Sequence, residues 1–364
     1  MDKKDIYLCI KSIKGISTIT LGKIIEEVGC VEEIINLSEK DIYNLKNISL
    51  NIKENLVKYI SHFNLYEVKE KLYKNSIQYI CIEDKEYPDK LRNIYSPPLL
   101  LFYKGDLSII NNSLNIAMVG TRKPTPYGIN CAKRISYELS ERSINIISGL
   151  ALGIDSYCHM GCIKGKGKTI AVLASSPDNI TPSTNIPLAN EILEDGGLIL
   201  SEYNVGHVTT RGNFPCRNRI ISGISDGIIV VEAGEKSGAL ITADLGLEQG
   251  KNIFAVPGYI DSDLSKGCHK IIKEGAKLVE NIDDILSEYD NSSFNNKNSI
   301  EYNIKDLSNE ALKIIKVIKR QGMLQINEIC DNTGIDIKNV NIIINELLLK
   351  NLVVEMNNKM FSIK

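Results

Sequence analysis

Residues 115–122, Asn-Ile-Ala-Met-Val-Gly-Thr-Arg, begin the part of the chain that decides the fold. The apolar run ends in Gly-Thr-Arg, a helical pattern follows over about 127–142, and the next apolar run covers 144–147. Further short apolar runs lie at 168–174, 198–200, 227–231, 252–256 and 277–279. Strands that alternate with helices, with no two-residue hairpin turn between them, indicate a parallel sheet covered by helices on both faces. The sequence therefore predicts an α/β domain over residues 113–286.

The segments on either side of this domain show other patterns. Residues 1–65 form short helical stretches around a Gly-x-Ser/Thr loop, as in a helix-hairpin-helix, but their nearly balanced charge favours a helical interaction module. Residues 66–112 contain two strand-like runs and are expected to form a bridging segment packed on the core. Residues 287–306 predict a polar linker, and 307–364 show three amphipathic helices and a hairpin, the pattern of a small winged helix. Its few cations favour protein contact or a structural role over the recognition of duplex DNA.

The composition limits the classes of function and location. The chain has 364 residues, of which 43% are hydrophobic, and a net charge of −2, so a nucleic-acid site must be a local patch. The nine cysteines include no Cys-x-x-Cys pair, and their odd number argues against a disulfide framework. No signal peptide or membrane-spanning run is apparent, so we expect a cytoplasmic protein with no membrane partner.

A second informative stretch is residues 213–219, Asn-Phe-Pro-Cys-Arg-Asn-Arg. The guanidinium groups of Arg217 and Arg219 suit phosphates, and the ring of Phe214 suits the face of a base. The stretch leads through a helical pattern into the strand at 227–231, and α/β proteins place ligands beside such strands. The alternative is that both arginines pair with carboxylates beneath a loop, and this stretch alone does not decide between the two.

Three loops are expected to meet at one edge of the predicted sheet. They follow its first, second and fifth strands and contain Gly120-Thr121-Arg122, Ser148-Gly149 and Ser237-Gly238. Exposed N–H groups and the dipole at a helix start bind anions, so phosphates are expected near the glycines of these loops. Neither Gly-x-Gly-x-x-Gly nor Gly-x4-Gly-Lys-Ser/Thr occurs there, so no dinucleotide fingerprint or P-loop is assigned.

Catalytic and metal-binding interpretations have weaker support. Cys158, His159 and Cys162 lie close together on one helix, but no fourth ligand has a matching spacing, which favours residues of the helix core or surface over metal ligands. Glu232 and Asp155 are each compatible with a general base, a helix cap or an arginine partner. No Ser/His/Asp arrangement is indicated, so no catalytic residue, metal or cofactor is assigned.

Five motifs follow one another in order within residues 70–285. They are Val119-Gly120-Thr121-Arg122 with Tyr127-Gly128, Ser-Gly-Leu-Ala-Leu-Gly-Ile-Asp at 148–155 with His159, Phe-Pro-Cys-Arg-Asn-Arg-Ile-Ile-Ser-Gly at 214–223, Val231-Glu232-Ala233 with Ser-Gly-Ala-Leu-Ile-Thr-Ala at 237–243, and Phe-Ala-Val-Pro-Gly at 254–258. This set resembles the DNA-processing protein A (DprA/Smf) family. The flanking modules also resemble that family's sterile-alpha-motif-like and C-terminal domains.

The resemblance implies a Rossmann-like protein that binds single-stranded DNA, protects incoming DNA and loads the RecA recombinase in natural transformation. It further implies a homodimer formed through about residues 264–279, and no catalysis. The candidate DNA-binding residues are Gly120, Thr121, Arg122, Ser148, Gly149, Arg211, Phe214, Arg217, Asn218, Arg219, Ser237 and Gly238. The chain departs from the family pattern over 174–186, so no DNA contact is assigned to that loop.

Parts of the sequence are also compatible with two other functions. The three-loop arrangement is also similar to nucleotide-processing phosphoribohydrolases of the lysine-decarboxylase-like family, but their Pro-Gly-Gly-x-Gly-Thr loop is replaced here by Gly234-Glu235-Lys236-Ser237-Gly238. A transcriptional regulator that reads duplex DNA through the winged helix is disfavoured by the balanced charge of that module. The single-strand mediator is therefore the favoured function.

Overall fold

The computed structural model describes residues 2–13, 15–62, 64–289, 308–321, 324–349, 353–356 and 360–363. The chain divides into two compact units, Met1–Asp290 and Asn291–Lys364. Most of the predicted linker, from residue 290 onward, lies outside the described residues. No helix in the described ranges is both long enough and apolar enough to cross a membrane.

The first unit is built on a sheet of nine strands in the order β1-β2-β6-β5-β4-β3-β7-β8-β9. The strands are β1 Gln78–Cys81, β2 Leu100–Gly105, β3 Asn115–Gly120, β4 Asn145–Ser148, β5 Thr169–Leu173, β6 Leu198–Ser201, β7 Gly227–Glu232, β8 Asn252–Ala255 and β9 Lys277–Leu278. Strands β3 to β9 are mutually parallel, which confirms the predicted parallel sheet. The bridging segment does more than pack on this sheet, because β2 pairs antiparallel with β6 and β1 with β2.

Helices cover both faces of the sheet, as expected from strands that are apolar along their whole length. The helices that follow β1 are α7 Asp89–Arg92, α8 Ile109–Asn112, α9 Pro126–Glu141, α10 Ile154–Cys162, α11 Ile186–Glu194, α12 Asn213–Ile224, α13 Gly238–Glu248, α14 Lys266–Lys273 and α15 Ile282–Leu286. Helices α12 and α13 pack on a core that includes Ala117, Val119 and Val230. Helix α11 packs on Ala171 and Leu173, whose side chains point to the opposite face from Val172.

The N-terminal helices share a second core with the antiparallel end of the sheet. These helices are α1 Lys3–Lys11, α2 Thr18–Val28, α3 Val31–Ile34, α4 Glu39–Asn44, α5 Leu50–His62 and α6 Leu65–Lys74. Leu8, Leu21 and Leu56 of this group are buried in one cluster with Leu100 and Phe102 of β2. The core of the N-terminal helices is therefore completed by strands of the sheet.

The second unit has its own small core. It contains α16 Asn309–Gln321, α17 Ile326–Thr333, α18 Ile337–Leu349 and the strands β10 Leu324–Gln325, β11 Val353–Met356 and β12 Met360–Ile363. The strands form an antiparallel sheet in the order β10-β12-β11. Ile314, Ile344 and Phe361 belong to the shared apolar cluster. The assignment of this unit as a winged-helix module stays a prediction.

The cysteine and histidine residues of α10 belong to the core of the first unit. Cys158, His159 and Cys162 are fully buried, which agrees with the interpretation as core residues. The imidazole Nδ1 of His159 lies 2.6 Å from the hydroxyl of Thr169, while its Nε2 has no hydrogen-bond partner. Within the described ranges, no group of three or more His, Cys, Asp or Glu side chains could hold a metal ion.

The burial of His159 predicts a pH-dependent stability. Burial lowers the pKa of His159 from 6.5 to about 3. The unfolded chain therefore binds a proton below pH 6.5 that the folded chain does not bind until about pH 3. Protonation of His159 thus favours the unfolded chain, and the free energy of unfolding decreases as the pH falls below 6.5. Replacing His159→Asn should reduce the loss of unfolding free energy between pH 7.5 and 5.5 by about 1.4 kcal/mol. Urea unfolding at the two pH values measures this difference, and an unchanged pH dependence in the variant would contradict the assignment.

Candidate nucleic-acid interface

The three loops predicted to meet do so at the carboxyl edge of the sheet. Strand β3 lies between β4 and β7, so the loops that follow these strands are neighbours. From β3 the strands are added in one direction as far as β6, and from β7 they are added in the opposite direction as far as β9. The boundary between β3 and β7 is therefore a topological switch point, where open α/β sheets bind their ligands. A pocket of about 260 Å³ opens there. Its lining includes Thr121, Arg122, Phe214, Asn218, Ser237 and Gly238.

Arg122 and Phe214 form the outer part of this pocket. The guanidinium carbon of Arg122 lies 4.8 Å from the centroid of the Phe214 ring, within the range of a cation–π contact. Arg122 is exposed, and no described carboxylate lies within 4.0 Å of it. Phe214 is half-buried and lies outside the described apolar core clusters. Neither side chain is therefore explained by a buried ion pair or by core packing.

Glu232 fixes the loop that carries Arg122. Its carboxylate is buried and accepts hydrogen bonds from the N–H of Thr125 at 2.8 Å and from the Thr125 hydroxyl at 2.6 Å. Its carbonyl oxygen accepts the N–H of Thr121 at 2.7 Å. Thr125 in turn caps helix α9 through Gly128. Because both carboxylate oxygens are engaged in holding this loop, Glu232 acts as a loop anchor, which favours a structural role over that of a general base.

Arg217 lies inside the pocket wall. It is 5% exposed, and its Nη1 donates to the carbonyl of Gly149 at 2.7 Å and to that of Val172. A Cβ at position 149 would overlap this guanidinium group, so the glycine is required by the approach of Arg217. Burial lowers the pKa of Arg217; the negative charge of Asp155 opposes this shift, and the positive charge of Arg122 adds to it.

In the loop after β4, the hydroxyl of Ser148 and the N–H of Gly149 already donate to protein atoms, so the phosphate expected near Gly149 stays a prediction that these two donors do not support. The N–H of Gly149 donates to the carboxylate of Asp155 at 3.1 Å, and the hydroxyl of Ser148 donates to the carbonyl of Met118 at 2.7 Å. Both residues are buried. Burial raises the pKa of Asp155, although the charge of Arg217 and hydrogen bonds from the backbone oppose the shift. Ser148 and Gly149 therefore shape the wall of the pocket from within.

Arg219 is paired with a carboxylate, as the structural alternative for this stretch supposed. Its Nη2 lies 2.5 Å from a carboxylate oxygen of Glu202, and its side chain is 14% exposed. Arg217, by contrast, is held mainly by backbone carbonyls beside Asp155. Sequence reasoning did not foresee the partner of Arg219, because Glu202 lies 17 positions away at the end of another strand.

The start of α13 and a neighbouring groove complete the site. Ser237 caps α13, and Gly238 is exposed, with open space where a side chain would stand. The side-chain amide of Asn218 donates to the carbonyl of Gly238 at 3.5 Å, which links α12 to this helix start. Arg211 is exposed and lines a groove of about 690 Å³ between residues 178–181 and 206–211, and Phe214 lines both the groove and the pocket. Irregular loops form this groove, so no periodicity in the sequence indicated it.

Comparisons with known proteins place the chain among relatives of known sequence and structure. The sequence model of the family described as DNA recombination-mediator protein A matches residues 78–290. The DNA processing protein DprA of Bacillus subtilis is 42% identical over 215 residues, which cover 59% of this chain and 72% of the relative. The crystal structure of DprA from Streptococcus pneumoniae superimposes with a TM-score of 0.69 at 34% identity, covering 80% of this chain and 99% of that one.

A second solved structure concerns DNA binding directly. It is DNA processing protein A from Helicobacter pylori, described by its single-stranded DNA binding mode. It matches with a TM-score of 0.54 and 31% identity over 59% of this chain and 99% of that chain. The family match spans more than half of the chain and includes the strands and loops that form the pocket. The chain therefore belongs to the DNA recombination-mediator protein A family.

Proposed function

We propose that this protein binds single-stranded DNA at the pocket between β3 and β7 and mediates recombination by protecting incoming DNA and loading RecA during natural transformation. The observation that carries the proposal is the exposed Arg122 above the ring of Phe214 at the switch point of the sheet. Membership of a recombination-mediator family supports it, as does a relative known for binding single-stranded DNA.

The candidate residues divide into two roles in this proposal. Arg122, Arg211 and Gly238 are exposed and would contact phosphates, while Phe214 would stack on a base. The buried residues Ser148, Gly149 and Arg217, with Arg219, would hold these groups in place, and Thr121 and Asn218 would join the loops. The positive charges of Arg122 and Arg217 disfavour each other, so an anion bound between them would relieve the repulsion.

The enzymatic alternative has less support. A phosphoribohydrolase needs an available acid or base, yet the hydrogen bonds of Glu232 and Asp155 join them to the loops that build the pocket. We therefore propose a binding protein without a catalytic role.

The first prediction is a preference for single strands. The arginines contact phosphates, which single strands and duplexes both offer. The ring of Phe214 stacks on the face of a base, and a duplex hides the base faces. In titrations of labelled oligo-dT, the logarithm of the binding constant should fall with the logarithm of the salt concentration, with a slope of about −1.4 or steeper. This salt slope assumes roughly −0.7 for each of the two phosphates neutralised by Arg122 and Arg211. Duplex DNA of the same length is the control. Equal affinity for both, or binding that does not respond to salt, would refute the proposal.

Arg122 and Phe214 should contribute in different ways. Arg122→Ala should weaken binding to all sequences and reduce the magnitude of the salt slope by about 0.7, since one phosphate contact is lost. Phe214→Ala should leave the slope unchanged and cost about 1–3 kcal/mol of binding free energy, the value of one stacked base. Because the two side chains touch, the double variant should lose less than the sum of the single losses.

The matched control for this pair is Arg142→Ala, which removes another exposed arginine, at the end of α9. It should bind oligo-dT like the parent. Thermal unfolding checks the fold, since loss of a core phenylalanine costs about 3–5 kcal/mol of stability. If the unfolding temperature of Phe214→Ala lies far below that of the parent, the ring is a core residue and the proposed pocket is wrong.

We also propose that the protein acts as a homodimer through residues 264–279. Ile271 and Ile272 pack on the core of the first unit, so the support comes from Leu278, which is 40% exposed on the edge strand β9, and from the half-buried Leu264. Light scattering should give twice the chain mass of 40.5 kDa at micromolar concentration, and Leu278→Lys should shift the population towards monomer. A monomer mass for the parent across that range would overturn the dimer.

A further inference from the structure

The carboxylate of Glu202 joins the N-terminal helices to the helix that carries the pocket residues. Glu202 directly follows β6 and is 6% exposed. It accepts hydrogen bonds from Nζ of Lys11 at 3.3 Å and from the hydroxyl of Thr18, which lie at the end of α1 and the start of α2. Its other oxygen lies 2.5 Å from Nη2 of Arg219 in α12. The chain positions of Lys11 and Glu202 differ by 191, so this contact exists only in the assembled unit.

The charges of this cluster are poorly screened by solvent. The side chains of Lys11, Glu202 and Arg219 are 11%, 7% and 14% exposed. Burial alone would raise the pKa of Glu202, but Lys11 and Arg219 hold it below its usual value, so the carboxylate stays charged. Because two cations share one carboxylate, removal of Lys11 leaves Glu202 paired with Arg219 but breaks a direct link between α1 and the carboxylate that α12 also binds.

The loop that follows Glu202 continues the connection to the pocket. Asn204 donates to the hydroxyl of Ser12 at 2.7 Å, and Val205 packs on the core of the N-terminal helices. The ring of His207 stacks on Tyr203 at 4.5 Å, and its Nε2 lies 2.7 Å from the side-chain amide of Asn213. Asn213 is the first residue of α12 and directly precedes Phe214. The loop is thus attached to the N-terminal helices at one end and, at the other, to Asn213, the residue that precedes Phe214 of the pocket.

We propose that Glu202 is a positioning residue through which Lys11 and Thr18 of the N-terminal helices set the affinity of the pocket for single-stranded DNA. The inference rests on the proposed function, because it assigns to the N-terminal helices the task of holding Phe214 in its binding position. These helices then serve the pocket without touching the DNA. Their role is to fix the orientation of α12 through one shared carboxylate.

The test compares Lys11→Met with Lys69→Met. Both remove a lysine that pairs with a carboxylate, but Lys69 pairs with Asp5 within the N-terminal region, at 2.7 Å. Lys11→Met should weaken binding of oligo-dT about three- to tenfold, which lies within the roughly 2- to 30-fold expected for coupling through a packed network. Lys69→Met should bind like the parent. Thr18→Val, which removes a hydroxyl and keeps the shape of the side chain, should weaken binding in the same direction and serves as the second variant if Lys11→Met does not fold.

Two further measurements separate positioning from other roles. The salt slope should not change in Lys11→Met, and a reduction of about 0.7 would instead indicate a direct phosphate contact and overturn the proposal. In a Phe214→Ala background, Lys11→Met should change affinity by less than about twofold, because the effect passes through that ring. Equal losses with and without the ring would assign the effect to general destabilisation, which also overturns the proposal.

The inference and the proposed function fail in distinguishable ways. If Lys11→Met and Thr18→Val bind like the parent while Phe214→Ala is weakened, the pocket stands and the positioning role is overturned. If Phe214→Ala and Arg122→Ala also bind like the parent, both are overturned.

Discussion

The buried guanidinium group of Arg217 is the interaction on which the pocket depends. It bonds to carbonyls at the ends of β4 and β5 and lies beside Asp155, so it fixes α12 across the carboxyl edge of the sheet. A guanidinium group offers five donors and keeps its charge in almost any environment, which suits it to this buried position better than a lysine. Glycine is needed at position 149 because a Cβ there would overlap the guanidinium group of Arg217.

Around Arg217 the polar residues form two layers with different tasks. The inner layer contains Asp155, Glu202 and Glu232, whose carboxylates are buried and each bonded to a separate segment of chain. The outer layer contains Arg122 and Arg211, which no described carboxylate neutralises. The buried carboxylates therefore hold chain segments together through hydrogen bonds and ion pairs, while the charges of Arg122 and Arg211 stay exposed to solvent. A protein with a net charge of −2 can in this way present a local site for an anion.

The sequence was sufficient for the sheet because its strands are buried on both faces and therefore appear as uninterrupted apolar runs. It also placed Gly120, Ser148 and Gly238 at one edge, since loops after neighbouring parallel strands must meet. It did not distinguish the exposed Arg122 from the buried Arg217, because the two arginines differ only in which carbonyls and carboxylates surround them in space. The sequence did not indicate that β2 joins the sheet, for a similar reason. An antiparallel edge pairing between Phe102 and Ser201 leaves no local pattern in either segment.

The pairing of β2 with β6 also has a consequence for synthesis of the chain on the ribosome. The N-terminal helices and β1 emerge first, yet β2, which pairs with β1 on one edge, remains without its second partner β6 until residues 198–201 have been made. During that interval Leu100 and Phe102 can pack on the N-terminal helices, whereas Leu101 on the other face still lacks its core and the backbone edge of β2 that later pairs with β6 is open. The first third of the protein is thus a nascent intermediate with an unprotected edge, and a molecular chaperone that covers extended segments would have its main opportunity there.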